Sequence, residues 1–325
     1  MRQLQPFEWY LIREFVEDYK DGLMTRRSMI KRVLAITGGV ATTATVLSSL
    51  GITPMTRAAY AQETTPVVPE AQSPLSVPAD DPRVVTADIV YVGDGADILA
   101  YTAWPAVGSA SPVAMASPVA GGVFPVVLIC HENRGLTEHI RDVTRRYAVE
   151  GYFGFAVDLL SRNGGTGAIT DSDEISALLT RDVDPMRHVA DFQAALEHLG
   201  REPLADLSRV AMTGFCFGGG ITWRATTVMP ELKAAAPYYG PPPDLAAVPN
   251  IKAAVLGVYS DDPEDFANEG RDELQAALEA AGITHQFNIY PGTQHAFHND
   301  TGPRYNPGQA QAAWNDTLAW FAQYV

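Results

Sequence analysis

From Val84 to the C-terminus the chain alternates between short apolar runs and longer stretches in which apolar residues recur at helical spacing. "ADIVYV" and "ADILAYTAW", separated by a Gly-containing turn, predict an opening antiparallel pair of strands. "FPVVLIC" (124–130) is apolar throughout, as expected of a strand covered on both faces. Further strands are predicted at "YFGFAVD", "RVAMTGF", "KAAAPYYG", "IKAAVLGVYS" and "THQFNIYPG". Helices fall between them: "TEHIRDVTRRYAVEG", a segment ending near Gly200, one beginning at Cys216, and "RDELQAALEAAG". A last helix is predicted from Asn306 as N-cap, with Pro307 in its first turn and Trp314, Leu318 and Phe321 on its apolar face. This alternation predicts an α/β fold, a mostly parallel central sheet with helices on both faces, formed by one domain over residues 84–325.

The first 83 residues read differently. "FEWYLIREFVEDYKDGL" (7–23) has helical spacing, but no chemistry attaches to it. "TRRSMIK" (25–31), with the pair Arg26–Arg27, precedes an uncharged run of small and apolar residues (33–52). The pattern resembles a twin-arginine export signal, with Met29 and Ile30 in the apolar places, and "AYA" (59–61) offers a small-x-small cleavage site. Residues 1–61 are therefore expected to be an export segment, placing the protein outside the cytoplasm. Membrane contact is expected only if the segment stays on as an anchor. Residues 62–83, rich in Pro, Ser and acids, read as a linker, and "AVGSASPVAMASPVAGG" (106–122) as a surface loop.

Composition narrows the function. The 38 acidic and 23 basic side chains give a formal charge of -15, which argues against a nucleic-acid partner. Two cysteines make no disulfide framework.

One of them, Cys216, lies in "TGFCFGGG" at a predicted strand-to-helix junction. Gly214-Phe215-Cys216-Phe217-Gly218 has the G-x-S-x-G spacing of a nucleophile elbow, with sulfur in place of oxygen. The turn is sharp, so the positions two before and two after must lack bulk. The following helix points its N-terminus at the sulfur, which favours thiolate, and the Phe217 N–H would face a developing oxyanion. A triad on such a sheet runs nucleophile, acid, histidine. Asp261 and Asp262 follow "IKAAVLGVYS", and His295 follows "THQFNIYPG". Asp262 is favoured because Pro263 turns the chain there; Asp261 is the alternative and Asp265 a remote one. A metal site of His295, His298 and Asp300 is disfavoured because no HExxH or clustered Cys/His pattern is present. Cys130 reads as a packing residue, and Glu132 as a carboxylate at the sheet edge that also carries Cys216.

"HENRGL", "GYFGFAVDLLSR", "GFCFGGG", "APYYG" and "QHAFHN" together resemble the dienelactone hydrolase family of α/β-hydrolases. The resemblance implies Cys216 as nucleophile, His295 as base and Asp262 (or Asp261) as its orienting acid. It implies that Glu132 pairs with the thiol and takes its proton when substrate arrives, and that the backbone N–H groups of Phe217 and Asn133 form the oxyanion hole. A thiol kept protonated at rest resists oxidation, which suits an exported enzyme. The expected reaction is hydrolysis of a small-molecule lactone or carboxylic ester through a thioester, with no cofactor. A broader esterase or peptidase-like hydrolase is the runner-up, and a non-catalytic binding scaffold the alternative class. The chain departs from the pattern at Asn299, where the archetype has an arginine holding the substrate carboxylate; neither Arg162 nor Arg181 aligns with the second such arginine.

Overall fold

In the computed structural model the described residues are 3–52, 73–106 and 123–325. The candidate cleavage site at 59–61, half of the Pro- and Ser-rich linker and most of the 106–122 loop lie outside them. Eight strands form one sheet: β1 (Val84–Gly93), β2 (Ala96–Pro105), β3 (Phe124–Cys130), β4 (Phe153–Val157), β5 (Ala205–Phe215), β6 (Leu232–Tyr238), β7 (Ala254–Ser260) and β8 (His285–Tyr290), in the order β1-β2-β4-β3-β5-β6-β7-β8. The pairs β1–β2 and β2–β4 are antiparallel, and every pairing from β4 to β8 is parallel. The hairpin between β1 and β2 closes through Gly95, whose φ of 67° suits a residue without Cβ.

The helices are α1 (Pro6–Lys20), α2 (Arg26–Thr37), α3 (Val40–Ser49), α4 (Glu138–Val149), α5 (Ile175–Thr180), α6 (Pro185–Leu199), α7 (Phe217–Thr226), α8 (Arg271–Ala280) and α9 (Pro307–Tyr324). Asn306 caps α9 as the sequence predicts, its side chain accepting from the Gln309 N–H at 3.2 Å. The Trp314 ring of α9 meets Tyr147 of α4 at 4.5 Å, joining two helices that cover the sheet. β3, β4 and β7 are buried almost along their whole length, which explains their lack of polar alternation.

The N-terminal helices add no strand, yet they pack on this body. α1 is amphipathic, and its Phe7, Leu11, Ile12, Phe15 and Val16 are buried, each contributing roughly 1.5–3 kcal/mol when fully removed from water. α2 and α3 are separated by Gly38 and Gly39, with Gly38 at φ 73°. Among the described residues no single helix is long and apolar enough to cross a membrane; α2 and α3 reach that composition only as a pair bent by 116°.

Candidate active site

β5 ends at Phe215 and α7 begins at Phe217, so Cys216 alone makes the turn. Its backbone sits at φ 55° and ψ -117°, a strained conformation for a residue with a side chain. Neighbouring glycines permit it. A Cβ on Gly214 would lie 2.3 Å from the Gly218 carbonyl oxygen, and one on Gly218 would lie 2.4 Å from that of Cys130. The spacing thus has the steric cause inferred from sequence. Phe217 is the first helical residue, so its N–H has no intrahelical acceptor.

His295 and its acid converge on this thiol from the loops after β8 and β7. The His295 Nδ1–H donates to Asp265 Oδ1 at 3.2 Å. Asp265 also accepts from the Ser260 hydroxyl and, at 2.9 Å, from the Ala267 N–H. Burial disfavours charge on both groups, but their mutual attraction wins: the His295 pKa is raised and that of Asp265 lowered. The other ring nitrogen of His295, Nε2, is buried without a hydrogen-bond partner.

The carboxylate that reaches His295 is therefore Asp265, and the expectation that Asp262 would do so is corrected. Asp262 Oδ1 accepts from the Glu264 N–H at 2.9 Å, and Asp261 Oδ1 from the Thr293 N–H at 3.1 Å. Both serve the loop itself. Pro263 does turn the chain, but the Asp265 N–H bonds back to the Asp262 carbonyl at 3.1 Å, so the inward carboxylate is the one after the turn. The signal lay in the next residue: Phe266 is buried with its ring 4.5 Å from that of His295.

Glu132 is buried at the end of the segment following β3, but it does not pair with the thiol. It accepts from the Asn299 amide at 2.7 Å. The thiol instead donates to Glu14 Oε2 of α1 at 3.2 Å, and the Asn133 side-chain amide donates to the same oxygen at 2.7 Å. Glu14 was invisible to the sequence reading. Burial and the carboxylates of Glu14 and Glu132 push the Cys216 thiol well above its ordinary pKa. The thiolate expected from the helix N-terminus is thus not favoured in this closed arrangement. Burial raises the pKa of Glu14 to about 7, against the opposing pull of His295.

Cys130, wholly buried at the end of β3, is a free thiol like Cys216, and burial raises its pKa well above normal. His298 stays neutral in the core against Phe215 and Tyr238, while Asp300 pairs with Arg146 at 2.6 Å and with His139 at 2.9 Å. His295, His298 and Asp300 thus make no joint ligand set. Among the described residues the one group with metal-like spacing is Glu14, Cys216 and His295, whose donor atoms lie within 4.8 Å of one another. Arg162 pairs with Asp191 and Arg181 with Asp182. A cavity of about 1020 Å³ opens beside the site, lined by Glu132, Arg134 and Asn299 from the sheet body and by Thr25, Ser28 and Arg32 from the N-terminal segment.

Comparison with known proteins gives the family. Residues 112–325 match the profile described as "Dienelactone hydrolase family". A Methylorubrum extorquens protein named "Putative carboxymethylenebutenolidase" is 36% identical over 225 residues, covering 66% of this chain and 77% of its own. A Salmonella typhi protein of the same name is 34% identical over 260 residues, covering 76% of this chain and 94% of its own. The crystal structure of a "Putative Dienelactone Hydrolase" from Klebsiella pneumoniae superposes with a TM-score of 0.64 at 30% identity, covering 74% of this chain and 99% of that one. An acylaminoacyl peptidase from Pyrococcus horikoshii, at 16% identity and a TM-score of 0.57, shares the fold alone. The chain, with its parallel sheet and its cysteine elbow, belongs to the dienelactone hydrolase family and is a hydrolase of the α/β-hydrolase fold.

Proposed function

We propose that the protein hydrolyses a lactone or small carboxylic ester through a thioester on Cys216. One observation carries the reading: a thiol on a strained elbow lies within 4.8 Å of a histidine that is tied through Nδ1 to a buried carboxylate. With substrate bound, the thiol proton passes to His295 Nε2 as sulfur attacks the carbonyl carbon. The resulting oxyanion faces the N–H groups of Phe217 and Asn133. Its collapse breaks the ester C–O bond, and the imidazolium returns its proton to the leaving alkoxide. Water then attacks the thioester, His295 takes a proton from it, and the released thiolate recovers that proton as the acid departs. Asp265 holds the imidazole and favours its charged form. Glu132, held by Asn299, contributes a negative charge that keeps the resting thiol protonated.

The test is mass spectrometry of wild type and Cys216→Ala after exposure to a panel of lactones and p-nitrophenyl esters. An acyl adduct on the Cys216 peptide, missing from the variant together with turnover, is expected. Turnover that survives in Cys216→Ala would overturn the mechanism. The Thr25–Lys31 segment is proposed to direct export; Arg26→Lys with Arg27→Lys should leave the protein in the cytoplasmic fraction, and unchanged fractionation would refute this.

A further inference from the structure

We propose that helix α1 is a built-in inhibitor of this site, which lays the Glu14 carboxylate over Cys216 where the acid product would lie and keeps the chain latent until the helix is withdrawn. The inhibitory meaning rests on the reading of Cys216 as nucleophile; the coverage of the thiol does not.

Chemistry supports the likeness to product. Hydrolysis of a thioester leaves a carboxyl group beside the sulfur, within reach of the histidine. Glu14 puts a carboxyl group there, accepting from the thiol at 3.2 Å and from the Asn133 amide at 2.7 Å, with its donor atom within 4.8 Å of that of His295.

Around this contact the helix seals the site. The Phe7 ring stands edge-on to Phe217 at 5.0 Å, and Tyr10 stands edge-on to Phe266 at 4.7 Å. The Tyr10 hydroxyl donates to the Tyr239 carbonyl at 2.7 Å. Cys216 is left 1% exposed and His295 2%, and neither lines the neighbouring cavity. An ester cannot reach the sulfur while α1 stays in place.

The site does not depend on its cover. Cys216, Asp265 and His295 all stand on the ends of β5, β7 and β8 or the loops after them, and α1 contributes no strand. Of its ion pairs with the body, Arg13 to Glu269 is exposed and weak, whereas Arg304 to Asp18 is buried and must be broken when the helix leaves. α2, which carries the arginine pair, is fastened to the body by Ser28, Lys31 and Arg32 against Asp173. The cover and the export-like motif are therefore consecutive parts of one docked segment, so that a partner drawing on the arginine motif would also uncover the thiol.

The test uses the full chain with Leu11→Asp and Phe15→Asp combined, which places charge on the buried face of α1 without touching the catalytic residues. Iodoacetamide labelling of Cys216 is followed by peptide mass, with Cys130 as an internal reporter of unfolding, and p-nitrophenyl acetate turnover is measured in parallel. Labelling follows the open fraction, so we expect Cys216 to label at least about tenfold faster than in wild type, with Cys130 unlabelled and turnover rising alongside. Equal Cys216 labelling in wild type and variant would overturn the proposal. Faster labelling without turnover in either protein would retain the cover but overturn the reading of the site as an esterase. Should Cys130 label too, the milder Leu11→Ala, which loosens α1 and leaves Glu14 in place, decides by the same readouts: faster Cys216 labelling with Cys130 unlabelled supports the proposal and an unchanged rate sinks it.

Discussion

Asp262 and Asp265 stand three residues apart in one loop, and burial separates their roles. Asp265 is 5% exposed and holds His295, whereas Asp262 caps an exposed turn. Under the proposed mechanism, Asp265→Asn should lower kcat/KM by about 10²–10⁴-fold through loss of imidazole orientation, while Asp262→Asn stays within about twofold. Steady-state kinetics on the α1-loosened background would check both, and the opposite ranking would restore the acid expected from sequence. Gly218→Ala would drive a Cβ into the backbone after β3, 2.4 Å from the Cys130 oxygen. A cost of about 2–4 kcal/mol in urea unfolding is expected, since backbone there has nowhere to move. At this scale Cys216 and His295 were legible because motif spacing and order along the chain fix them. Asp265 was less so, because which carboxylate turns inward depends on a turn whose hydrogen bonds no residue pattern displays.

The helix α1 shows the same limit one level up. Phe7, Leu11 and Phe15 recur every four residues, so an amphipathic helix is readable from the chain. What its apolar face covers is not. Glu14 and Glu17 both have pKa values raised to about 7, chiefly by burial. Undocked, these carboxyls ionise near their ordinary value of about 4.3, so docking takes up protons between that pH and about 7 and weakens as pH rises across that window. Around Glu14 lie Asp18 on its own helix, Cys216 at the start of α7, His295 after β8 and Arg134 after β3, and the pull of His295 and Arg134 limits the rise. Hydrogen exchange of residues 6–20, corrected for intrinsic rate, should therefore show more opening at pH 8 than at pH 5. Glu14→Gln should flatten this slope; an equal slope in the variant would show that Glu14 does not govern docking.

For the molecule as a whole, a buried charge cluster ties separate layers together. Asp300, wholly buried after β8, accepts from the Ser73 N–H at 3.2 Å and pairs with Arg146 and His139 of α4. Burial opposes its charge, but His139 and Arg146 hold its carboxyl far below the usual range. A depressed carboxyl pKa stabilises the fold above the unfolded value and loses that contribution as pH falls below it, so acid should unfold the protein partly through this site. Asp300→Asn leaves the Arg146 guanidinium with only Asp142, and a loss of about 3 kcal/mol at neutral pH is expected from urea midpoints. A change below about 1 kcal/mol would mean that Asp142 alone satisfies the arginine.

The sequence by itself determined the α/β alternation, the cysteine elbow, the histidine after the last strand and the family, because each is local: strand-length apolar runs, glycines around one residue, and order along the chain. Only the tertiary structure decided which carboxylate meets His295, which amide holds Glu132 and which side chain lies on the thiol. Those three depend on which side chains meet across 30 to 202 positions of chain, as His295 meets Asp265 and Cys216 meets Glu14. Contacts of that range are set by how the loops and the N-terminal segment pack on the sheet, where burial decides which carboxylate faces a histidine and which faces a thiol.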